Sequence, residues 1–495
     1  VKTGPRHPWA YLAVCAAALL LDACTVGPDY HRPEIAAPPA FSEAATTAHV
    51  AITPAEEDIS TWWTAFNDPV LNDLMRRALA DNPDLQIAAS RVREARAGER
   101  VSAAAGLPTI NGTGNALTFN SNRKGASGAA GAPGIGLDIP SHTNLYAVGF
   151  DASWEVDVFG GVRRSVEAAR ANTEAAEWSR RDGQVSLLAE IANDYLTLRA
   201  LQARIAIGQA ELQRQKDIFG LIHDRRVNGF VTNLDVNQQS GEVDTAAAQI
   251  PELTAEAAAQ AHALAVLVGQ PPETLRDDLR PVETALPAPP PVLAVGLPSD
   301  LLRRRPDIRE AERRVAAANA TIGTHVADLY PKLNLLGLAS FASNSVDGLV
   351  ASDNLQSIAA GLVTVPIFNA GKTRAQIREA REEEAQALLT YRKTILGSFR
   401  DVEDALARYK AEDDRRAALA QAVKASADSL AIAVDEYRAG TVTFINVLNA
   451  ENALLQSRDQ LTQSDAQTLT DLVSLYKTLG GGWSVSGDDT SSRGR

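Results

Sequence analysis

The chain has 495 residues, with 48 lysines and arginines against 61 aspartates and glutamates and a formal net charge of −13 at pH 7. That balance excludes nucleic acid as a partner, because phosphate contacts require a basic excess. With 45% hydrophobic residues, 5% aromatic, one Met and two Cys, the chain is neither disordered nor disulfide-stapled, and it is long enough to bury a large core.

Lys2 and Arg6 precede an apolar run from Ala10 to Leu21, and Leu21-Asp22-Ala23-Cys24 follows. This is the layout of a lipoprotein signal peptide over 1–23, cut before Cys24, which then carries covalent lipid. The run is too short to cross a bilayer, and no other stretch reaches 18 consecutive apolar residues, so a membrane role falls to strands or to the lipid. Residues 24–67 read as an extended segment.

The rest of the chain is one plan written twice. Asn82-Pro83-Asp84-Leu85 and Leu107-Pro108-Thr109-Ile110 recur as Arg305-Pro306-Asp307-Ile308 and Tyr330-Pro331-Lys332-Leu333, with the same separation between the prolines. The first repeat occupies 68–280 and the second 298–483; a Pro-rich linker at 281–297 joins them, and a flexible tail at 484–495 follows. Each repeat reads as helix, strand, strand and a long helical hairpin.

In the first repeat the strands are expected at about 109–119 and 144–158, joined by a Gly-rich loop; in the second, at about 332–341 and 358–368. Tyr146, Val148, Phe150, Ala152, Trp154, Val156 and Val158 alternate with Ala147, Gly149, Asp151, Ser153, Glu155 and Asp157. Apolar-out and polar-in alternation is the pattern of a transmembrane barrel strand, and a half-buried strand of a soluble sheet gives it too.

Beyond the strands the period changes. Leu187, Ile191, Leu198, Leu201, Ile205, Leu212, Phe219 and Ile222 hold coiled-coil spacing, as do Ile395, Phe399, Val402, Leu406, Tyr409, Ala420, Val423, Ala427, Leu430, Val434 and Tyr437. Residues 161–227 and 371–439 contain no proline, so each is expected to form one helix on the order of 100 Å long. Gly229 and Gly440 sit where left-handed caps end such helices, and Thr232 and Thr443 can cap the returning ones. The hairpins are thus expected at 161–268 and 371–479. Four candidate membrane strands cannot close a barrel, which needs about eight or more, so the chain must oligomerise; two copies or three satisfy the count.

Cys24-Thr25-Val26-Gly27-Pro28-Asp29-Tyr30-His31-Arg32-Pro33, Leu297-Pro298-Ser299-Asp300-Leu301-Leu302-Arg303-Arg304-Arg305-Pro306-Asp307-Ile308 and Tyr476-Lys477-Thr478-Leu479-Gly480-Gly481-Gly482-Trp483 resemble the signatures of the outer membrane factor (TolC-like) family, in particular its NodT-type lipoproteins. The resemblance implies a fold that is mainly α with membrane β: a homotrimer with a twelve-stranded β-barrel continued by an α-helical barrel. It implies an outer membrane exit duct of a tripartite efflux system, passing drugs or other small molecules. The implied partners are a periplasmic adaptor protein and an inner-membrane transporter of the RND or ABC type. A type I protein-secretion channel and a periplasmic coiled-coil scaffold are the alternatives.

By the same resemblance, Cys24 is the lipid anchor. The tips at 226–235 and 437–446, with Gly229, Val231, Thr232, Gly440, Val442 and Thr443, meet the adaptor. Ile445 and Asn449 stand where the family places its periplasmic gate, with Asn449 neutral where an aspartate is frequent; ordinary coiled-coil packing is the plainer reading of both. Asp151, Glu155 and Asp157 would line the barrel lumen and favour cations.

Enzyme motifs fail individually. Gly371-Lys372-Thr373 lacks the glycine of a phosphate loop, since Pro366 stands there. The histidines are scattered without metal-ligand spacing, and no nucleophile elbow is present. No catalytic residue, metal or cofactor other than the lipid is expected.

Overall fold

The computed structural model describes residues 25–45, 50–52, 59–120, 142–281, 286–287 and 293–484. Cys24, the signal segment, the Gly-rich loop and most of the tail lie outside the described residues. The strands are β1 (Val50–Ile52), β2 (Thr109–Asn120), β3 (His142–Val156), β4 (Leu293–Val295), β5 (Lys332–Ser343) and β6 (Leu355–Thr364). The helices are α1 (Pro69–Asp81), α2 (Pro83–Ala104), α3 (Gly161–Val227), α4 (Asn233–Leu267), α5 (Pro298–Arg304), α6 (Pro306–Ala327), α7 (Lys372–Arg438) and α8 (Phe444–Thr478). The contacts divide the chain into two compact units.

The first unit takes residues up to 33, 93–174 and 312–389. Its sheet has the order β2-β3-β5-β6 with every neighbouring pair antiparallel, so one strand pair from each repeat meets at β3 and β5. The outer edges of β2 and β6 have no strand partner among the described residues. Strand ends differ from the sequence expectation by one to four residues, and two of them have a clear local cause. β3 stops at Val156 because Asp157 turns to the next helix: its Oδ1 and Oδ2 accept the backbone N–H groups of Val162 and Arg163, at 3.1 and 2.9 Å. β6 stops at Thr364, ahead of Pro366, which has no N–H to give a ladder.

The N-terminal motif is clamped onto this unit. Val26 N–H donates to Phe159 O, and the Arg164 guanidinium, 5% exposed, reaches Val26 O at 3.2 Å and Asp29 Oδ1 at 2.7 Å. Tyr30 donates to Glu312. Gly27 has φ +97° and a Cβ there would lie 2.4 Å from Gly323 Cα, so only glycine fits. Desolvation opposes the charges of Arg164 and Glu312, but their partners outweigh it: the guanidinium is held above its usual pKa and the carboxyl below.

The second unit takes residues 34–92, 175–311 and from 390 onward. Leu71, Leu74, Met75, Leu188, Ile191, Leu196, Leu198, Leu264 and Leu472 are buried in its core, and Trp62 stacks on Tyr476 with centroids 5.2 Å apart. β1 and β4 pair in parallel, so the linker strand is tied to the N-terminal segment, a pairing that three-residue strands do not announce in sequence. α3 and α7 are 67 residues each and α4 and α8 are 35 each, an equality that repeats the duplication in space. α4 tolerates Pro251 inside it. Over one 18-residue stretch α7 has the length and composition of a membrane span, with none of it buried; a coiled-coil helix showing an alanine-rich seam passes the same test.

Candidate functional site at the hairpin tips and the strand face

The tips are built by glycine. Gly229 has φ +79° and Gly440 φ +75°. At each, the glycine N–H and the one after it fold back on the last turn: Gly229 and Phe230 donate to Arg226 O and Arg225 O, and Gly440 and Thr441 to Tyr437 O and Glu436 O. These are Schellman closures. The returning helices start differently. Thr232 caps α4 with a full box, exchanging bonds with Asp235. Thr443 is extended but makes no side-chain cap, because the third helical position holds Asn446, whose N–H bonds the Thr443 carbonyl. The expected Thr443 cap is therefore corrected.

The two tips are joined within the chain. Ile222, Phe444 and Val447 are buried together, with Ile218, Val231, Val236, Leu430, Ala433, Val434 and Tyr437 packed against them. The Arg225 guanidinium stands 5.0 Å over the Tyr437 ring, and that ring is 5.7 Å from Phe444. Val231 belongs to the cluster, Thr232 and Thr443 are exposed, and Val442 is half-buried. What sequence reading passed over is the apolar crown of the first tip: Val227, Phe230 and Leu234 are 74%, 77% and 65% exposed. Three bulky apolar side chains in and beside a turn, where turn chemistry favours polar residues, were the available signal.

Ile445 and Asn449 are one turn apart on α8 and both exposed, Ile445 at 44%. Phe444, Val447, Leu448 and Glu451 between and beyond them are buried. Packing inside the chain's own coil therefore does not account for the pair; they form a free stripe on the first turns of α8.

On the sheet, register separates the two faces. Val148, Phe150 and Trp154 lie opposite Phe341, Ala339 and Leu335, and Val148, Phe150, Trp154 and Leu335 are all exposed, an apolar face with no cover among the described residues. Trp154 spends its indole N–H on Gly106 O at 2.9 Å. On the other face, Asp151 accepts from Asn111 at 3.0 Å and Glu155 lies 3.7 Å from Lys332 Nζ. Asp157 is not on the strand at all; it caps α3 and pairs with Arg163. Leu336 and Leu338 oppose Ser153 and Asp151, between Asn334 and Ser340, which oppose Glu155 and Gly149, so β5 sets an apolar patch into the polar face. Of the three expected lumen residues, Asp151 and Glu155 stand on this strand face and Asp157 does not. No cluster of three metal-ligating side chains occurs among the described residues.

A four-stranded sheet with an uncovered apolar face and free edges, carried on a chain whose helical hairpins end in paired glycine turns, defines a channel-forming protein of the outer membrane. The chain belongs to the outer membrane efflux protein family, whose model matches residues 74–270 and 297–481, one stretch in each repeat. It is 33% identical over 474 residues to the pyoverdine export outer membrane protein OpmQ of Pseudomonas aeruginosa, covering 95% of this chain and 97% of that one. It is 30% identical to the cation efflux system protein CusC of Escherichia coli, covering 96% and 99%, and 29% identical to nodulation protein T of Rhizobium leguminosarum, covering 96% and 94%. Among solved structures, the outer-membrane channel OprN superposes with a TM-score of 0.84 at 34% identity, over 93% of this chain and all of that one. The protein is thus an outer-membrane exit duct of efflux, mainly helical with membrane strands.

Proposed function

We propose that three copies of the chain close a twelve-stranded barrel and a helical tube, and that the assembly passes small molecules from a periplasmic adaptor and an inner-membrane transporter of the RND or ABC type to the outside. The observation that carries this reading is the pair of free edges on β2 and β6. Open strand edges are not tolerated in lipid, so β6 of one copy pairs with β2 of the next; three copies give a lumen wide enough for a channel, whereas eight strands from two copies would be filled by side chains.

The duct acts without chemistry: no catalytic residue, metal or cofactor takes part, and the covalent lipid on Cys24 supplements the barrel's own insertion. Ile445 and Asn449 supply the periplasmic constriction as a ring of apolar and amide groups. Gly229, Val231, Thr232, Gly440, Val442 and Thr443 shape the tips that meet the adaptor. The relatives carry the names of pyoverdine export, cation efflux and solvent efflux proteins, a spread that supports substrate choice by the pump rather than by the duct.

The test is a cysteine placed on β2 and one on β6, both on otherwise edge-facing positions, in the detergent-solubilised protein. A disulfide-linked trimer with single-channel conductance is expected; a cross-linked dimer, or a monomer without conductance, overturns the assembly.

A further inference from the structure

The seam of α3 is interrupted by polar residues about two turns from its tip cluster. Gln215 and Glu211 are each 2% exposed, Gln239 of α4 is fully buried, and Glu451 of α8 is 1% exposed. They form a line across three helices. Gln239 Nε2 donates to Gln215 Oε1, and Gln215 Nε2 donates to Glu211 Oε1 at 2.7 Å. Arg214 Nη1 lies 2.9 Å from Glu211 Oε2 and 3.6 Å from Glu451 Oε1. Both carboxylate oxygens of Glu451, Glu211 Oε2 and Gln239 Oε1 are buried and meet no donor at full hydrogen-bond geometry, although the Gln215 amide stands close enough to Glu451 to favour its charge. Two buried carboxylates therefore share one guanidinium, which is committed to Glu211.

Leaving an ionised carboxylate without donors in such a place is costly, and protonation is its usual relief. Burial first, then the negative charge of Glu211, pushes Glu451 up to about 7; Arg214 and the nearby Gln215 amide oppose this, and Glu242 of α4 adds to it. On α7, the Ser426 to Ser457 contact puts Ile432 level with Glu451, and the neighbouring titratable groups Asp428 and Asp435 are not among the principal influences.

We propose that Glu451, with Glu211, Arg214, Gln215 and Gln239, is a proton-operated latch that holds the start of α8 against the first hairpin when Glu451 is neutral and loosens it when Glu451 ionises. In the neutral state the Glu451 carboxyl has an O–H to donate across the shared site, so one proton and one guanidinium serve two acids. In the ionised state two carboxylates compete for Arg214. Glu451 follows Asn449 by two residues and Ile445 by six, so the freed turn is the one that carries the exposed stripe. The sign follows from linkage: with a folded pKa above the unfolded value of 4.5, the latch is fully held below about 4.5 and weakens as pH rises toward 7. A polar cluster that only fixes helix register, the alternative role of buried polar residues in coiled coils, does not carry its pH dependence into the conductance of the duct.

The latch stands on the geometry of one chain; its effect on conductance rests on the exit-duct reading. Amide hydrogen exchange of the full-length protein in detergent, corrected for intrinsic exchange, is measured at pH 5.5 and 8 over 444–456 and 233–243. Protection in the wild type is expected to fall roughly thirtyfold at the higher pH, the effect of the one and a half pKa units between pH 5.5 and about 7. Glu451→Gln is expected to keep the low-pH protection at both values. Glu211→Gln, which removes the like charge, shifts the wild-type transition to lower pH. A pH-independent wild type, or a Glu451→Gln variant with the wild-type profile, overturns the latch. Closed-state conductance in planar bilayers is expected to rise with pH in the wild type and stay flat in Glu451→Gln. A conducting wild type with flat conductance overturns the coupling to the gate, whereas absence of conductance at every pH sinks the duct reading and leaves the exchange result to decide the latch.

Discussion

Asn82 and Arg305 occupy the same place in the two repeats and make the same bond. Each precedes the proline that opens a helix, and each donates to the last carbonyl of its returning helix: Asn82 Nδ2 to Leu267 O at 2.8 Å, Arg305 Nη1 to Thr478 O at 3.2 Å. They differ in what else they hold. Asn82 Oδ1 accepts the Leu85 N–H as the cap of α2. Arg305, its side chain 13% exposed, bridges Asp307 at 2.7 Å and Asp401 at 3.5 Å.

That difference sets unequal costs. Asn82→Ala removes a cap and one long-range bond and is expected to cost about 1 to 2 kcal/mol. Arg305→Ala leaves Asp307 without its cation and Thr478 O without its donor, while Asp401 keeps Arg400, and is expected to cost about 2 to 4 kcal/mol. Unfolding by guanidinium in detergent ranks the two; equal losses would refute the division of roles.

The charge environment of Arg305 also predicts a pH effect. Burial, then the nearby Asp307, raises Asp182 to about 6. Because the folded pKa lies above the unfolded 3.8, stability falls as pH rises from about 4 to 6 and then levels. The full shift is an upper bound of roughly 3 kcal/mol, and partial solvent contact discounts it to about 1. Asp182→Asn should flatten that slope in thermal melts across pH 4 to 7; an unchanged slope would clear Asp182 of the effect.

Gly269 and Gly480 form a second equivalent pair, with φ +74° and +77° just past α4 and α8. A Cβ would meet Asp81 O at 2.4 Å in the first and Arg304 O at 3.2 Å in the second. Both alanine variants pay the left-handed penalty of about 1 to 2 kcal/mol. Gly269→Ala must also displace backbone, so it should be the less stable of the two, read by the midpoint of thermal unfolding.

At the tips, Tyr437 packs between Arg225 and Phe444. Tyr437→Ala removes a cation–π contact worth about 1 kcal/mol and part of an apolar cluster. If the cluster holds the closed tips, closed-state conductance in bilayers should rise by about fivefold, the factor that corresponds to 1 kcal/mol. Conductance equal to the wild type would place the restraint elsewhere.

Phe230 and Leu234 predict a partner contact. Replacing both with Ser leaves the buried cluster intact, since both are exposed, and should leave thermal stability within about 0.5 kcal/mol. Binding of a purified adaptor protein, followed by co-elution, is expected to weaken; undiminished binding would remove the apolar crown from the docking surface.

Much of the fold is written in local chemistry. Proline-free heptads specify α3 and α7, glycines at 229 and 440 end them, and the recurrence of Pro83 and Pro108 as Pro306 and Pro331 declares the duplication. These signals survive in sequence because backbone conformation and periodicity depend on near neighbours. Strand ends were less legible: Asp157 reads as one more polar residue in an alternating strand, yet its carboxylate is worth more at the α3 N-terminus, where orphan N–H groups need an acceptor.

The repeat, the helix lengths, the turns and the family motifs are all legible in the residues alone. Direction comes from tertiary packing: Ile445 and Asn449 face away from the chain while Glu451 turns inward, β5 sets two leucines into the polar strand face, and β4 pairs with β1. A heptad or an alternation says that a side chain has a preferred face, but which neighbour covers that face is set by contacts between residues hundreds of positions apart, and those exist only once the chain has folded.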